Sequence, residues 1–258
     1  GTCGNSILEG TEQCDDGNTN PNDGCSATCH YEQCSASGLA SYFSFNEGTG
    51  NNIVDHVSLT TYPNKGQAYT PGADATAIRL DGNTYFELPS HMPDGHNNLT
   101  LSAWVKIDPT ITQGVEIINK QDGPSNTEWD LDTSWTNNAH YISFAIDSQQ
   151  FNPVAIPKDQ WAHLAVAIQD KNALLFINGQ EVGFKEMDSV PTNNEPIRIG
   201  ARYNGGIYER YYKGLLDDIS IWNTTLTASQ INELYTEKSF DSVCSLNCPG
   251  GDCNPNIL

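Results

Sequence analysis

The sequence is poor in positive charge: 12 Lys and Arg stand against 32 Asp and Glu, a formal net charge of −20 over 258 residues. So acidic a chain repels phosphate backbones and anionic lipid, which excludes nucleic acid as a partner. No run of about 18 apolar residues occurs, so no membrane insertion is expected. No His-Glu-x-x-His, Gly-x-Ser-x-Gly or nucleotide-binding loop is found, which removes the commonest hydrolase and nucleotide chemistries. Cysteine is missing between Cys34 and Cys244. Apolar residues are few at 37%, yet five Trp, eleven Tyr and eight Phe argue against disorder.

The cysteines that are present sit at the ends: Cys3, Cys14, Cys25, Cys29 and Cys34 in one block, Cys244, Cys248 and Cys253 in the other. The first block carries six acids, no Lys or Arg, and few large apolar side chains, so it needs cross-links or a metal to fold. Zinc is the competing reading, on Cys25-x3-Cys29 with His30 adjacent, but no second pair follows at finger spacing. Disulfides imply an oxidising compartment, hence a secreted or cell-surface protein. Blocks of five and three cannot pair wholly within themselves. If all eight cysteines are oxidised, an odd number of bridges joins the two ends. Gly1 begins inside a motif, and the chain stops beyond a Cys cluster, as expected of a fragment of a longer secreted protein.

From Leu39 to about Trp222 the apolar period is two. Leu99, Leu101, Ala103, Val105 and Ile107 alternate with Asn98, Thr100, Ser102, Trp104 and Lys106. Trp161–Ile168, Ala173–Ile177 and Gln180–Phe184 form a meander whose second turn is Asn178-Gly179, a strong hairpin signal. The expected fold is all-β, a two-sheet antiparallel jelly-roll sandwich with disulfide-rich terminal segments. One short helix is expected near its C-terminal end, from about Ala228 to Glu237, with a capping box at Thr227-Ala228-Ser229-Gln230.

Five segments carry a family resemblance. They are Gly38–Gly50, Leu99–Val105, Gln160–Val166, Leu175–Gly179 and Gly214–Asn223, the last followed by the short helix. In this order they resemble a laminin G-like domain of the concanavalin A-like superfamily. The N-terminal Cys3-Gly4-Asn5, Glu12–Asn18 and Asp23–Cys29 are similar to Cys-rich repeats of the myxobacterial type. The organisation implied is a Cys-rich repeat over 1–34, a jelly roll over 35–238, and a Cys-containing tail over 239–258. Since the first and last strands of such a jelly roll are neighbours, the resemblance favours a Cys34–Cys244 bridge. Cys248–Cys253 would then close a small loop, and the other four would pair in one of three ways.

The resemblance also implies calcium and ligand on one rim. Residues offering oxygens there are Asp122, Asn126, Glu128, Asn204 and Glu209, although Arg202 and Arg210 are placed to neutralise the acids as ion pairs. Asp217 shares the face of Leu215, Ile219 and Ile221, so it points inward and accepts backbone N–H groups or a structural metal; Asp218 faces solvent. The expected metal set is thus Asp122, Glu128, Glu209 and Asp217, with Ca²⁺ as the cofactor. Asp15, Asp16, Asn18, Asn20, Asn22 and Asp23 form either a second oxygen-rich loop for Ca²⁺ or an Asx-rich turn. Trp129, Trp135 and Tyr141, near the Thr136-Asn137-Asn138 turn, read as rim aromatics for ligand binding together with Asn204. Trp104 reads as either a sugar platform or part of a second small core under a loop.

Glu128-Trp129-Asp130-Leu131-Asp132 resembles the paired carboxylates of retaining glycosidases of this superfamily, but Asp132 stands where that pattern has Glu. No catalytic residue is therefore assigned. The function expected is a non-catalytic extracellular binding module for a glycan or an extracellular protein, stabilised by calcium. The alternatives are a structural or adhesive spacer in a larger secreted protein or protease and, third, a glycoside hydrolase.

Overall fold

A computed structural model describes residues 1–88, 98–123, 127–146, 149–152, 154–157, 159–187 and 192–246. The strands begin with β1 (Leu39–Phe43), β2 (Asn52–Asp55), β3 (Thr60–Pro63), β4 (Ala68–Pro71), β5 (Thr76–Asp81), β6 (Phe86–Leu88) and β7 (Asn98–Ile107). They continue with β8 (Glu116–Gln121), β9 (Thr127–Thr136), β10 (Ala139–Ile146), β11 (Gln149–Gln150), β12 (Val154–Ala155), β13 (Ala162–Gln169) and β14 (Asn172–Ile177). Last come β15 (Gln180–Glu186), β16 (Ile197–Ile199), β17 (Arg202–Asn204), β18 (Ile207–Glu209) and β19 (Lys213–Trp222), then helices α1 (Ala228–Glu237) and α2 (Phe240–Ser245).

One sheet runs β15-β14-β13-β7-β19-β5-β4, with β1 also on β19; the other runs β11-β10-β9-β8-β16-β6, with β12 on β10. Period-two alternation turns one apolar row of each strand inward. Leu101, Ala103 and Val105 of β7 thereby share a core with Trp129 and Leu131 of β9 and Ile142 and Phe144 of β10. Two antiparallel sheets closed on one core form the sandwich expected from the alternation. Asn178 and Gly179 both have positive φ (51° and 73°), as a hairpin turn of this sequence requires.

The outer face of the first sheet is also covered. Tyr42, Phe176 and Trp222 pack against Ile231 and Leu234 of α1 and Phe240 and Val243 of α2. Trp104 is buried on this side, with Tyr235 of α1 stacked 5.6 Å away and Lys238 Nζ 4.8 Å from its ring. It belongs to a covered layer and is no sugar platform. Helix α1 has a complete Thr227–Gln230 capping box. Helix α2 adds a second helix to the one expected. Six residues are too few to be helical alone, so α2 depends on this packing and on the reciprocal Ser239–Ser242 cap.

The N-terminal block is closed by Cys3–Cys29 and Cys14–Cys25. Cys25 and Cys29 are thus consumed by different partners, which removes the zinc reading. Cys34 is bonded to Cys244 across 210 residues of chain. Cys248 and Cys253 lie outside the described residues. The acidic loop holds its own backbone: Asp15 accepts from the N–H groups of Gly4, Asn5, Ser6 and Gly17, and Asp16 from that of Asn18. That is the Asx-rich turn.

Strand β19 changes neighbours halfway. Its residues Lys213–Leu216 pair with β5, Ile219–Trp222 pair with β1, and its register against β7 shifts between Asp217 and Ser220. Asp218 sits in that bulge with φ 44°. The extra residue exchanges the faces, so Leu216, Ile219 and Ile221 share the core while Asp217 is buried outside it. Asp218, expected in solvent, is instead buried and accepts a 2.5 Å hydrogen bond from Tyr42 Oη. Burial pushes its carboxyl up to about 7, while the Tyr42 bond opposes the rise.

Candidate functional site

Because Trp129 and Leu131 face the core, alternation sends Glu128, Asp130 and Asp132 to the opposite face of β9. Trp129, expected on a ligand rim, is consequently a wholly buried core residue. On the neighbouring strand, Glu116 stands opposite Asp132 and Asn119 opposite Asp130. This cross-strand register brings Glu116, Asp130 and Asp132 together, each offering an oxygen within 4.8 Å of the others. Their exposures are only 0%, 6% and 5%.

Arg210, from the loop after β18, covers the cluster. Its Nε lies 3.0 Å from Glu116 Oε1, while Nη2 bonds Asp132 Oδ2 and, at 2.7 Å, Thr133 O. Gly114 makes that approach possible: a Cβ there would lie 2.7 Å from Arg210 Nη2 and 2.4 Å from Thr133 O. Burial, reinforced by Asp130 and Asp132, raises the Glu116 carboxyl well above its usual range, and Arg210 only partly opposes this. Burial and Asp130 push Asp132 up to about 7.

Above Arg210 opens a depression of about 480 Å³ lined by Gln113, Gly114, Ser134, Trp135, Glu209 and Arg210. Its size falls within the ~300–1,000 Å³ range of small-ligand sites. Trp135 is half-buried, and the His140 ring meets it edge-on at 4.7 Å. The depression thus combines an indole with a guanidinium, a carboxylate, an amide and a hydroxyl. Tyr141 is half-buried on β10, opposite Ser134, and lies outside the lining.

The expected metal set does not converge. Glu128 pairs with Lys120 at 2.6 Å, and neither side chain is exposed. Glu209 pairs with Arg202 at 2.8 Å and accepts from Asn204 Nδ2 at 2.9 Å. Asp122 accepts from the Gly205 N–H at 3.0 Å. Asp217 stands in the other sheet and accepts from the N–H groups of Ala73, Asp74 and Asp218. Three of the expected rim residues, Asp122, Asn204 and Glu209, do gather at the β17–β18 hairpin, but as a clamp of hydrogen bonds and an ion pair. Asn126 lies outside the described residues. Glu116 was not legible as a site residue. Its one sequence signal is a lone acid inside the apolar Val115–Ile118 run.

Residues 80–232 match a laminin G-like family model described as the concanavalin A-like lectin/glucanases superfamily. Residues 1–35 match a family described as a domain of unknown function. Adhesion G-protein coupled receptor V1 of Danio rerio is 27% identical over 152 residues, covering 54% of this chain and 2% of the receptor. The chain therefore spans a small fraction of that relative's length. Domain 4 of an extracellular arabinanase from Geobacillus stearothermophilus, in complex with arabinotriose, superposes with a TM-score of 0.61 at 22% identity, covering 78% of this chain and all of that one. A sialidase from Trypanosoma rangeli gives a TM-score of 0.61 at 15% identity, over 80% of this chain and 34% of the sialidase. At such identities the structural likeness concerns the fold.

Proposed function

The chain belongs to the concanavalin A-like lectin/glucanases superfamily, and from that premise we propose that it is a non-catalytic extracellular glycan-binding module whose sugar site is the Trp135 depression. The observation that carries this reading is the lining: a half-buried indole beside Arg210, Glu209, Gln113 and Ser134. A sugar ring has an apolar face that stacks on an indole and a rim of hydroxyls that bond to charged and amide groups. The arabinotriose bound to the arabinanase domain supports an oligosaccharide as the ligand class. Three disulfides support a secreted or cell-surface location. Among the described residues no helix is long and apolar enough to cross a membrane.

Hydrolysis is the weaker reading. Glu128 is paired with Lys120, and Glu116 and Asp132 with Arg210, so none of these three acids is free to serve as nucleophile or general acid on a sugar. An adhesive role toward another protein is the second reading, supported by the name of the receptor relative. A glycan array that includes arabino-oligosaccharides, followed by calorimetry on the best binder, tests the proposal. Trp135→Ala is expected to weaken binding at least tenfold. No glycan bound, or equal binding by that variant, would reject the Trp135 site.

A further inference from the structure

We infer that Glu116, Asp130 and Asp132 form a binding site for a hard divalent cation, calcium first, in the floor beneath Arg210. The site lies apart from the rim set expected by resemblance, and none of those rim residues belongs to it. Three carboxyl groups face one guanidinium, so that with all three ionised two negative charges are left uncompensated in a buried place. The other nearby arginine, Arg202, is 3.9 Å from Glu116 but is committed to Glu209 at 2.8 Å. A divalent cation brings the cluster to neutrality with Arg210 in place.

Asp130 points to a ligand through its geometry as well as through the cluster's charge. It is 6% exposed, forms no ion pair among the described residues, and its Oδ1 accepts no hydrogen bond from a nitrogen or hydroxyl donor there. Glu116 Oε2 is likewise buried without such a donor, so the two carboxyls have only each other to share a proton or an ion with. Buried carboxylate oxygens are normally paired, hydrogen-bonded or bound to metal. All the donor atoms are oxygens, the class that calcium and magnesium select, and three carboxylates supply up to six of the six to eight that calcium takes. Entry is through the depression, where the Arg210 side chain is 27% exposed. The chain's acidic excess draws cations toward it.

The test uses the whole chain after chelation, titrated with CaCl2 by calorimetry and with terbium by luminescence sensitised through tryptophan. One ion per chain is expected, with at least a tenfold loss of affinity in Asp130→Asn and in Glu116→Gln and no change in Asp122→Ala. Circular dichroism and calcium-free melting confirm that each variant is folded. No ion bound by the wild-type chain, or an unchanged isotherm in folded Asp130→Asn, overturns the site and leaves shared protons as its charge balance. An isotherm lost in Asp122→Ala but retained in Asp130→Asn moves the ion to the rim and overturns it equally. These readouts need no sugar, so they fail or succeed independently of the Trp135 depression.

Discussion

Lys120 Nζ lies 2.6 Å from Glu128 Oε2, with both side chains wholly buried. The same lysine donates to Asn193 O, and Glu128 accepts from the Asn193 N–H, so the pair ties the segment before β16 to strands β8 and β9. Removing one partner of a buried pair leaves an uncompensated charge and typically costs about 3–5 kcal/mol, whereas replacing both by apolar groups of similar size is often neutral. Glu128→Ala is expected to lose about that much in urea unfolding, and the double variant Lys120→Met/Glu128→Leu far less. Equal losses in the two would mean that the charge is not what matters.

The Cys34–Cys244 bridge closes a loop of 210 residues with its Cα atoms 5.0 Å apart. In the chain-entropy model a loop of that length stabilises the folded state by about 5 kcal/mol. The bridge also anchors α2, since Cys244 lies within that helix and Cys34 packs in the same outer cluster. Cys34→Ser/Cys244→Ser is expected to fold with a markedly lower urea midpoint and with α2 the first segment to lose amide-exchange protection. A midpoint shift smaller than that of Cys14→Ser/Cys25→Ser, whose loop spans only 11 residues, would contradict the loop-length account.

Much of this fold was legible because two simple regularities hold. Alternation placed the inward row of β7, and the odd division of the cysteines, if all are oxidised, required a bridge between the ends. Reading failed where the backbone leaves the regular pattern or where partners come from far along the chain. Asp217 and Asp218 were assigned faces by counting in twos, but the bulge at Asp218 takes Asp217 off the core face, and the outer layer around Tyr42 buries Asp218. Trp129 looked like a rim aromatic beside a turn, yet the alternation that exposes Glu128 to Lys120 forces the indole inward. The acid cluster depends on Glu116 standing opposite Asp132, a cross-strand register absent from any single stretch of sequence.

Glu47 carries a pH dependence of definite sign. It is buried, its Oε1 accepts from the Val54 N–H, and burial pushes its carboxyl up to about 7 from the ordinary 4.5. The folded state therefore holds this proton more tightly than the unfolded state does. Its contribution is complete below about pH 4.5, falls as pH rises toward 7, and stays lost above that. The change amounts to about 3 kcal/mol. Glu47→Gln is expected to gain on the wild type by about that amount between pH 4 and 8 in urea unfolding. A constant difference between the two proteins across that range would show that the carboxyl titrates normally.

Asp217 separates a backbone cap from a metal ligand. Its Oδ2 accepts from Ala73 N at 2.8 Å and Asp74 N at 3.2 Å, and its Oδ1 from Asp218 N at 3.0 Å. These bonds fix the β4–β5 turn over the point where β19 exchanges β5 for β1 as its neighbour. A typical intramolecular hydrogen bond is worth about 0.5–1.5 kcal/mol net, and the orphaned N–H groups add their own desolvation. Asp217→Ala is expected to lose about 2–4 kcal/mol in urea unfolding, with faster amide exchange at Ala73 and Asp74. Its calcium isotherm is expected to match that of the wild-type chain, because no other residue of the expected metal set approaches it. A variant of unchanged stability that loses calcium would return Asp217 to the role of a metal ligand.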